Sequence, residues 1–443
     1  MRIYRGSLTS RNGGLRLPPG PWQLPIIGSL HHLLGALPHR ALRDLSRRHG
    51  PLMLLRFGEV PAIVASTAEA SKEITKTYDH IFCTRPLSAS AKVLSERGKG
   101  IAFAPYGGEW RQLCKICILE LLGARNITSF RPIREEEVNR LIRSIVDDSS
   151  EVVNLSKMLG TYVTHATVHC PASWVAGLRS TTRCYTMSMR RWRSSEILGG
   201  STSTPGTRHH RCPLEDPERW QPSVPLTMDN LKVVIFDLFA AGSEAPATIL
   251  QWAMAELMRR PSTMSRAQAE VRGAFMGQTK VTEEGLGELS YLHCIIKETL
   301  RLHPPGPFLL PKQCQEQCKI LGYDVPKGTR VLLNAWAISR DPEYWDEPDA
   351  FVPDRFLASA TDYKGNCFEF IPFGAGRRIC PGMLFGVAIA ELALASLLFH
   401  FDWTLPDGTS PADLDMTETM GITARKKEDL QLRATLHLQP AET

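Results

Sequence analysis

A glycine-rich loop, Pro372-Phe373-Gly374-Ala375-Gly376-Arg377-Arg378-Ile379-Cys380-Pro381-Gly382, runs directly into an apolar stretch from Met383 to Phe399 whose spacing predicts a helix. This junction constrains the chain more than any other segment. A cysteine at the mouth of a helix meets unpaired backbone N–H groups and the positive end of the dipole, both of which favour thiolate over thiol. Thiolate is the form that binds a metal. Gly374, Gly376 and Gly382 let the backbone come close to a flat ligand and turn sharply around it, Phe373 can shield the sulfur, and Arg378 can meet an anionic group. For a cysteine taken alone, a structural thiol buried in a glycine-rich turn is the other reading.

Upstream of the loop the periodicity is mostly helical. Pro38 to His49 reads as an amphipathic helix with basic Arg40, Arg43, Arg47 and Arg48. Pro51–Phe57 and Ala62–Ala65 read as strands joined by a turn at Gly58. Helices are predicted from Trp110 to Leu122, from Ile133 to Val146, from Phe236 to Arg260 and from Leu289 to Leu302, the last closed by His303-Pro304-Pro305. Short strands are predicted at Lys319–Val325 and Arg330–Asn334. The expectation is a mainly α fold with small β-sheets, built as one domain over residues 18–443 behind a polar N-terminal arm, residues 1–17. Between 165 and 225 no period of either kind persists, and Ser, Thr, Arg, Pro and Gly cluster, so this stretch is expected to be loop-like or disordered.

The 443 residues carry a formal net charge of +6, far below the density that marks nucleic-acid binders, so an anionic membrane surface or an acidic protein partner is expected instead. Eleven cysteines, an odd number without regular spacing, fit a reducing compartment better than a disulfide framework. No run of 18 or more apolar residues is seen, so neither a signal peptide nor a membrane span is predicted. Three smaller motifs are read as packing, as chance and as a surface turn, respectively: Cys114-x-x-Cys117, His165-x-x-x-His169, which has ligand spacing but no carboxylate in sequence, and Cys314-x-x-x-Cys318.

Phe373, Gly376, Arg378, Cys380 and Gly382 match, position by position, the cysteine-ligand loop of the cytochrome P-450 family, and the chain resembles its plant microsomal A-type members from Pro18 to about Tyr162 and again from about Leu226 to Leu438. The resemblance implies the cytochrome P-450 fold, haem b, and Cys380 as axial ligand to the iron. It implies that Glu298 and Arg301, three apart on one helix face, form a structural ion-pair network completed by Arg355. Trp110 matches the family's propionate-binding helix, but Cys114 stands where an arginine belongs, leaving Trp110, Arg378 and Lys115 as the expected propionate partners.

Gly242, Ser243 and Glu244 fall on the helix that crosses the haem in this family, and are the expected catalytic residues. Ala245 and Pro246 replace its usual hydroxyl pair. Pro246 is expected to kink this helix and free the carbonyl of Gly242 to hold a water.

The function implied is a monooxygenase that inserts one oxygen atom from O2 into a small lipophilic molecule of plant specialised metabolism, with electrons from NADPH through NADPH-cytochrome P-450 reductase. Substrate is expected at Ile101–Pro105, Ala240–Glu244, Pro307–Leu310 and Gly421–Thr423, and the reductase on Lys115, Lys364 and Arg377. The expected location is the cytoplasmic face of the endoplasmic reticulum, peripheral or cytosolic because the family's N-terminal anchor is not seen before the proline-rich connector. An isomerase or dehydratase working on an already oxidised substrate, or an inactive truncated product that only binds haem, are the alternatives.

Overall fold

The computed structural model describes residues 14–148, 151–170, 227–406 and 408–437. Its first helix, α1 (Pro38–His49), opens with proline at the first turn, where a missing N–H costs nothing, and closes on Gly50 at φ 104° after Arg47, Arg48 and His49, whose charges suit the helix C-terminus. Strands β1 (Leu52–Phe57) and β2 (Val60–Ala65) pair antiparallel around Gly58. β2 then pairs in parallel with β7 (Arg330–Leu333), which also carries β4 (Lys312–Gln313). Between them in sequence β5 (Cys318–Ile320) and β6 (Tyr323–Val325) form a hairpin. β11 (Gln431–Leu436) joins β3 (Val153–Asn154) to β8 (Phe401–Thr404), and β9 (Glu418–Met420) pairs with β10 (Ala424–Lys426).

Helices make up the rest: α2 (Gly108–Cys117), α3 (Arg131–Val146), α4 (155–170), α5 (Met228–Met258), α6 (Pro261–Ala274), α7 (Ser290–Leu302) and α8 (Met383–His400). α8 is apolar on every side, and such a helix must lie inside. Its Ile389, Leu392, Leu394 and Leu397 are buried against Leu141 and Ile142 of α3, Leu159 and Val163 of α4, Leu250 and Met254 of α5, and Ile295 of α7. α5 begins earlier than its apolar pattern suggests. Thr227 accepts from Asn230 N–H at 3.2 Å while the Asn230 side chain accepts from Thr227 N–H at 3.0 Å, a reciprocal cap that the polar run Asp229-Asn230 hides from a hydrophobicity reading.

Four expectations change. Residues 165–170, predicted to be irregular, continue α4; positions 171–226 lie outside the described residues. Cys314 and Cys318 are buried rather than placed in a surface turn, and the Cys314 thiol donates to the Glu316 carbonyl at 2.8 Å. Of the arm, residues 1–13 lie outside the described residues, and its end is docked: Leu17 is buried, and Arg16 N–H donates to the Asp324 carboxylate at 2.7 Å. By length and composition, Asp229–Met258 and α8 are each apolar enough to cross a membrane; α8 is instead mostly buried in the protein.

Candidate active site

The loop before α8 turns through Gly374 at φ +74° and Gly376 at φ +72°, the left-handed region that glycine enters without strain. A Cβ on Gly376 would meet the Thr75 carbonyl oxygen at 2.2 Å. Three hydrogen bonds fix the loop: Cys380 N–H to Phe373 O at 2.9 Å, Ile379 N–H to Gly376 O at 3.0 Å, and Arg377 N–H to the Asp79 carboxylate at 2.9 Å. The Phe373 ring packs edge-on to Tyr363, with centroids 5.4 Å apart.

Cys380 is exposed. Yet burial pushes its thiol up, with the Gly382 N–H acting in the opposite direction. The sulfur is thus accessible while the protein gathered around it disfavours its charged form. Burial opposes the helix mouth at this thiol, and a bound metal ion would favour the thiolate.

Beside this loop lies a group of buried cations. Arg378, Arg85 and Lys312 are each less than a tenth exposed. Lys312 Nζ and Arg85 Nε have no hydrogen-bond partner among the described residues. Burial, then the neighbouring Arg85 charge, pushes Lys312 down to about 7; burial and the Arg378 charge push Arg85 down to about 9; burial pushes Arg378 down to about 10. The fold brings them together because Gln313 N–H of β4 donates to Thr84 O at 2.9 Å, and Arg85 donates to the carbonyls of Leu310 and Pro311. Buried cations left unneutralised are costly, and an anionic ligand relieves the cost. An accessible sulfur beside buried cations with donors left over fits a haem, which Cys380 would hold through its sulfur and Arg378, Arg85 and Lys312 through its propionates. Sequence reasoning missed Arg85 and Lys312, because neither stands in a motif and their meeting depends on β4 packing against the chain at Thr84.

The expected propionate partners fare differently. Trp110 donates its indole N–H to Ile101 O at 3.0 Å and lies 4.1 Å beneath the Arg378 guanidinium, so it supports Arg378 by stacking. Arg378 is itself tied to the carbonyls of Cys83, Ile101 and Ala104. Lys115 is exposed, one residue round the helix from Cys114, and does not join the buried group. Cys114 does face Arg378 and Asp237; burial pushes its thiol up to about 12.

Above the loop runs α5. It continues as helix through Pro246, and the Gly242 carbonyl, which Pro246 cannot bond, accepts the Thr167 hydroxyl of α4 at 3.0 Å. That carbonyl is therefore occupied by a side chain where a water was expected. A Cβ on Gly242 would lie 2.7 Å from Thr167 Cγ2, so the glycine also serves close helix packing. Thr167 escaped notice because it sits where the sequence loses its period. Glu244 Oε1 accepts the Thr423 hydroxyl at 2.8 Å, and Thr423 lies 2.9 Å from the Thr248 hydroxyl. Ser243 Oγ is buried without a partner among the described residues.

Ala424 N–H donates to Pro305 O at 2.9 Å, and Ile101 and Ala102 donate to Asp237 at 2.8 and 3.0 Å. Three of the four segments expected to meet substrate, 101–105, 240–244 and 421–423, are thus tied to α5. The fourth, 307–310, follows Pro305 and reaches the loop at Leu309, 3.7 Å from a Cβ built on Gly374.

Behind the loop, Glu298 accepts Arg301 at 2.7 and 2.8 Å, Arg355 at 3.1 Å and Val352 N–H at 2.8 Å. Arg301 spends its remaining donors on the carbonyls of Ser339, Pro348 and Ala350. The three side chains singled out from sequence meet as one network.

Comparison with known proteins agrees with this geometry. The cytochrome P450 family model matches residues 18–171 and 214–432. The chain belongs to the cytochrome P450 family. Desmethyl-deoxy-podophyllotoxin synthase of Sinopodophyllum hexandrum is 44% identical over 96% of this chain and 93% of its own length. Premnaspirodiene oxygenase of Hyoscyamus muticus is 41% identical, over 98% and 95%. A zebrafish cytochrome P450 solved with abiraterone superposes with a TM-score of 0.71 at 24% identity, covering 90% of this chain and 99% of that one, which establishes the fold. This P450 is an oxygen-incorporating oxidoreductase, and the relatives lend no support to the isomerase or dehydratase alternative.

Proposed function

We propose that this P450 binds haem b through the Cys380 sulfur and oxidises a lipophilic plant specialised metabolite, terpenoid or phenylpropanoid in type. The accessible sulfur beside buried cations with donors left over carries the reading. When bound, haem supplies dioxygen activation, and a thiolate ligand favours O–O cleavage. Arg378, Arg85 and Lys312 would hold the propionates; Gly382 would donate its N–H to the sulfur; Phe373 and Gly376 shape the loop around it. Glu298, Arg301 and Arg355 keep the segment behind that loop from shifting.

Glu244 and Ser243 carry the proton traffic on α5, where Ala245 offers no hydroxyl, and Thr423 holds the Glu244 carboxylate in place. Gly242 lets α5 lie close to α4. Apolar side chains left exposed on α5, Ile235, Phe236 and Phe239, together with Leu310 and Ile422, suit an apolar substrate. Supporting the substrate class, relatives include 5-epiaristolochene 1,3-dihydroxylase of Nicotiana tabacum and salviol synthase of Salvia pomifera.

Electrons come from NADPH through NADPH-cytochrome P450 reductase, docked on a basic face that includes Lys115, Lys364 and Arg377. The exposed Trp22, Ile26, Ile27, Leu30 and Leu34, next to the arginines of α1, form a membrane-facing patch suited to the endoplasmic reticulum surface. The test is the carbon-monoxide spectrum of the reduced protein. Cys380→Ser is expected to abolish the red-shifted Soret band; its survival would make another cysteine the ligand. Product formation that needs NADPH and the reductase tests the rest.

A further inference from the structure

His165-x-x-x-His169 has the spacing of a helical metal chelate, and the sequence shows no carboxylate near it. The fold supplies one from another helix. Glu137 of α3 lies beneath both rings: its Oε1 is 2.6 Å from His169 Nδ1 and its Oε2 is 3.7 Å from His165 Nδ1. The side chain of Glu137 is 2% exposed, whereas those of His165 and His169 are 51% and 45% exposed. The two rings stack with centroids 5.8 Å apart.

We infer that His165 and His169 chelate one divalent ion of the zinc–copper class through their Nε2 atoms, with Glu137 as the carboxylate that orients the His169 ring and lies within ion-pair distance of His165. The carboxylate accepting from His169 Nδ1 fixes that ring's tautomer with the proton on Nδ1, so its Nε2 lone pair is free and turned away from Glu137, while His165, at 3.7 Å, is within ion-pair distance without a hydrogen bond. This is the arrangement by which metal-binding histidines are commonly held, and it raises the basicity of the ligating nitrogen. Imidazole nitrogen suits zinc and copper.

Glu137 serves as an outer partner and not as a ligand, since its Oε1 is already shared with Arg140 at 2.6 Å. Among the described residues no three His, Cys, Asp or Glu side chains are disposed to hold an ion together, so the protein gives two nitrogens and water completes the shell. The exposure of both rings leaves them free to turn their Nε2 atoms onto one ion. Bound there, the ion would bridge one turn of α4 and, through Glu137, fasten α4 to α3.

The experiment is a calorimetric titration of the haem-loaded, chelator-treated full chain with zinc chloride. One binding site is expected, lost in His165→Ala and lost separately in His169→Ala. Glu137→Gln is expected to bind about 10–100-fold more weakly, the usual consequence of removing an orienting partner. His31 and His32 are the internal control: their rings lie 3.9 Å apart, and each has one nitrogen on a backbone carbonyl. Zinc should also raise the unfolding midpoint of the parent and not of His169→Ala. Unchanged zinc uptake in the His165→Ala, His169→Ala double variant, or loss of the site in His31→Ala with His32→Ala, would overturn the assignment. Binding by Glu137→Gln as tight as by the parent would remove the carboxylate from it. The carbon-monoxide spectrum of each variant verifies independently that it has folded.

Discussion

Two groups of buried charge hold arginines in this protein's interior, and they are finished to different degrees. Around Glu298 every principal donor has an acceptor: the carboxylate takes both guanidinium groups and a backbone N–H, and carbonyls take the rest. Around Lys312 and Arg85 donors remain over, and their acidity rises through burial and mutual repulsion, which the nearby Asp79 carboxylate opposes only in part at Lys312. A satisfied buried network is a structural part. An unsatisfied one, beside a space into which a sulfur opens, is half of a binding site.

Removing the anion from the finished network should have the largest effect. Glu298→Ala strands Arg301 and Arg355 without their carboxylate, and breaking a buried pair from one side costs about 3–5 kcal/mol. The unfolding midpoint should fall sharply with or without haem, and an unchanged midpoint would show that the carbonyls alone satisfy the arginines.

The same kind of deletion in the unfinished group should act with opposite signs in the two states. Lys312→Met removes an unpartnered buried cation, so the haem-free protein should become more stable. The loaded protein should lose a charge-assisted contact worth about 1.5–3 kcal/mol. Unfolding of both forms reads the two signs; a fall in both would make Lys312 a structural residue like Arg301.

Acidity sharpens the contrast. Lys312 is pushed down to about 7 from its ordinary 10.5. Between those values the unfolded chain binds more protons than the folded haem-free protein, so stability of that form should rise with pH across the window, with the cost fully present below 7. An anion restores the charge, so haem binding takes up a proton there: affinity should be greatest below pH 7 and decline above it. Haem release measured at pH 6.5 and pH 9 should differ in the parent and converge in Lys312→Met.

Much of this was legible in the sequence where one local pattern carries the information. The Cys380 loop, the Glu298–Arg301 pair and α1 and α8 each depend on spacing within a few residues, and they stand where the pattern places them. Arg355 joined them only through the family resemblance, which completes the pair with an arginine from a later loop. What stayed hidden is what distant segments do to one another. Lys312 and Arg85 meet across β4, Thr167 reaches the carbonyl that Pro246 frees, Glu137 comes up under His165 and His169 from another helix, and Thr423 holds Glu244 from a turn near the chain's end. No periodicity records such meetings. α4 was lost at 165–170 because its exposed face, with His165, Val168 and His169, has no sustained polar–apolar alternation.

The smallest expected effect concerns Cys114, which touches the unfinished group without belonging to it. Its thiol is neutral, pushed up to about 12 by burial, and it lies within reach of both the Arg378 charge and the Asp237 carboxylate. An arginine there adds one more cation to Arg378, Arg85 and Lys312. In the haem-free protein that charge is repelled by Arg378, attracted by Asp237 and deprived of water by its half-buried position, so Cys114→Arg should lower the unfolding midpoint. In the loaded protein the new guanidinium gains a propionate contact, but repulsion from the same cations offsets part of it. The net gain in haem affinity should therefore be about 1 kcal/mol, below the full 1.5–3 kcal/mol of an unopposed charge-assisted bond. Transfer of haem to apomyoglobin should be slower from Cys114→Arg than from the parent by less than about tenfold, since 1.4 kcal/mol corresponds to a factor of ten. Equal transfer rates together with a lower haem-free midpoint would mean that position 114 feels the cations but lies out of reach of the propionates.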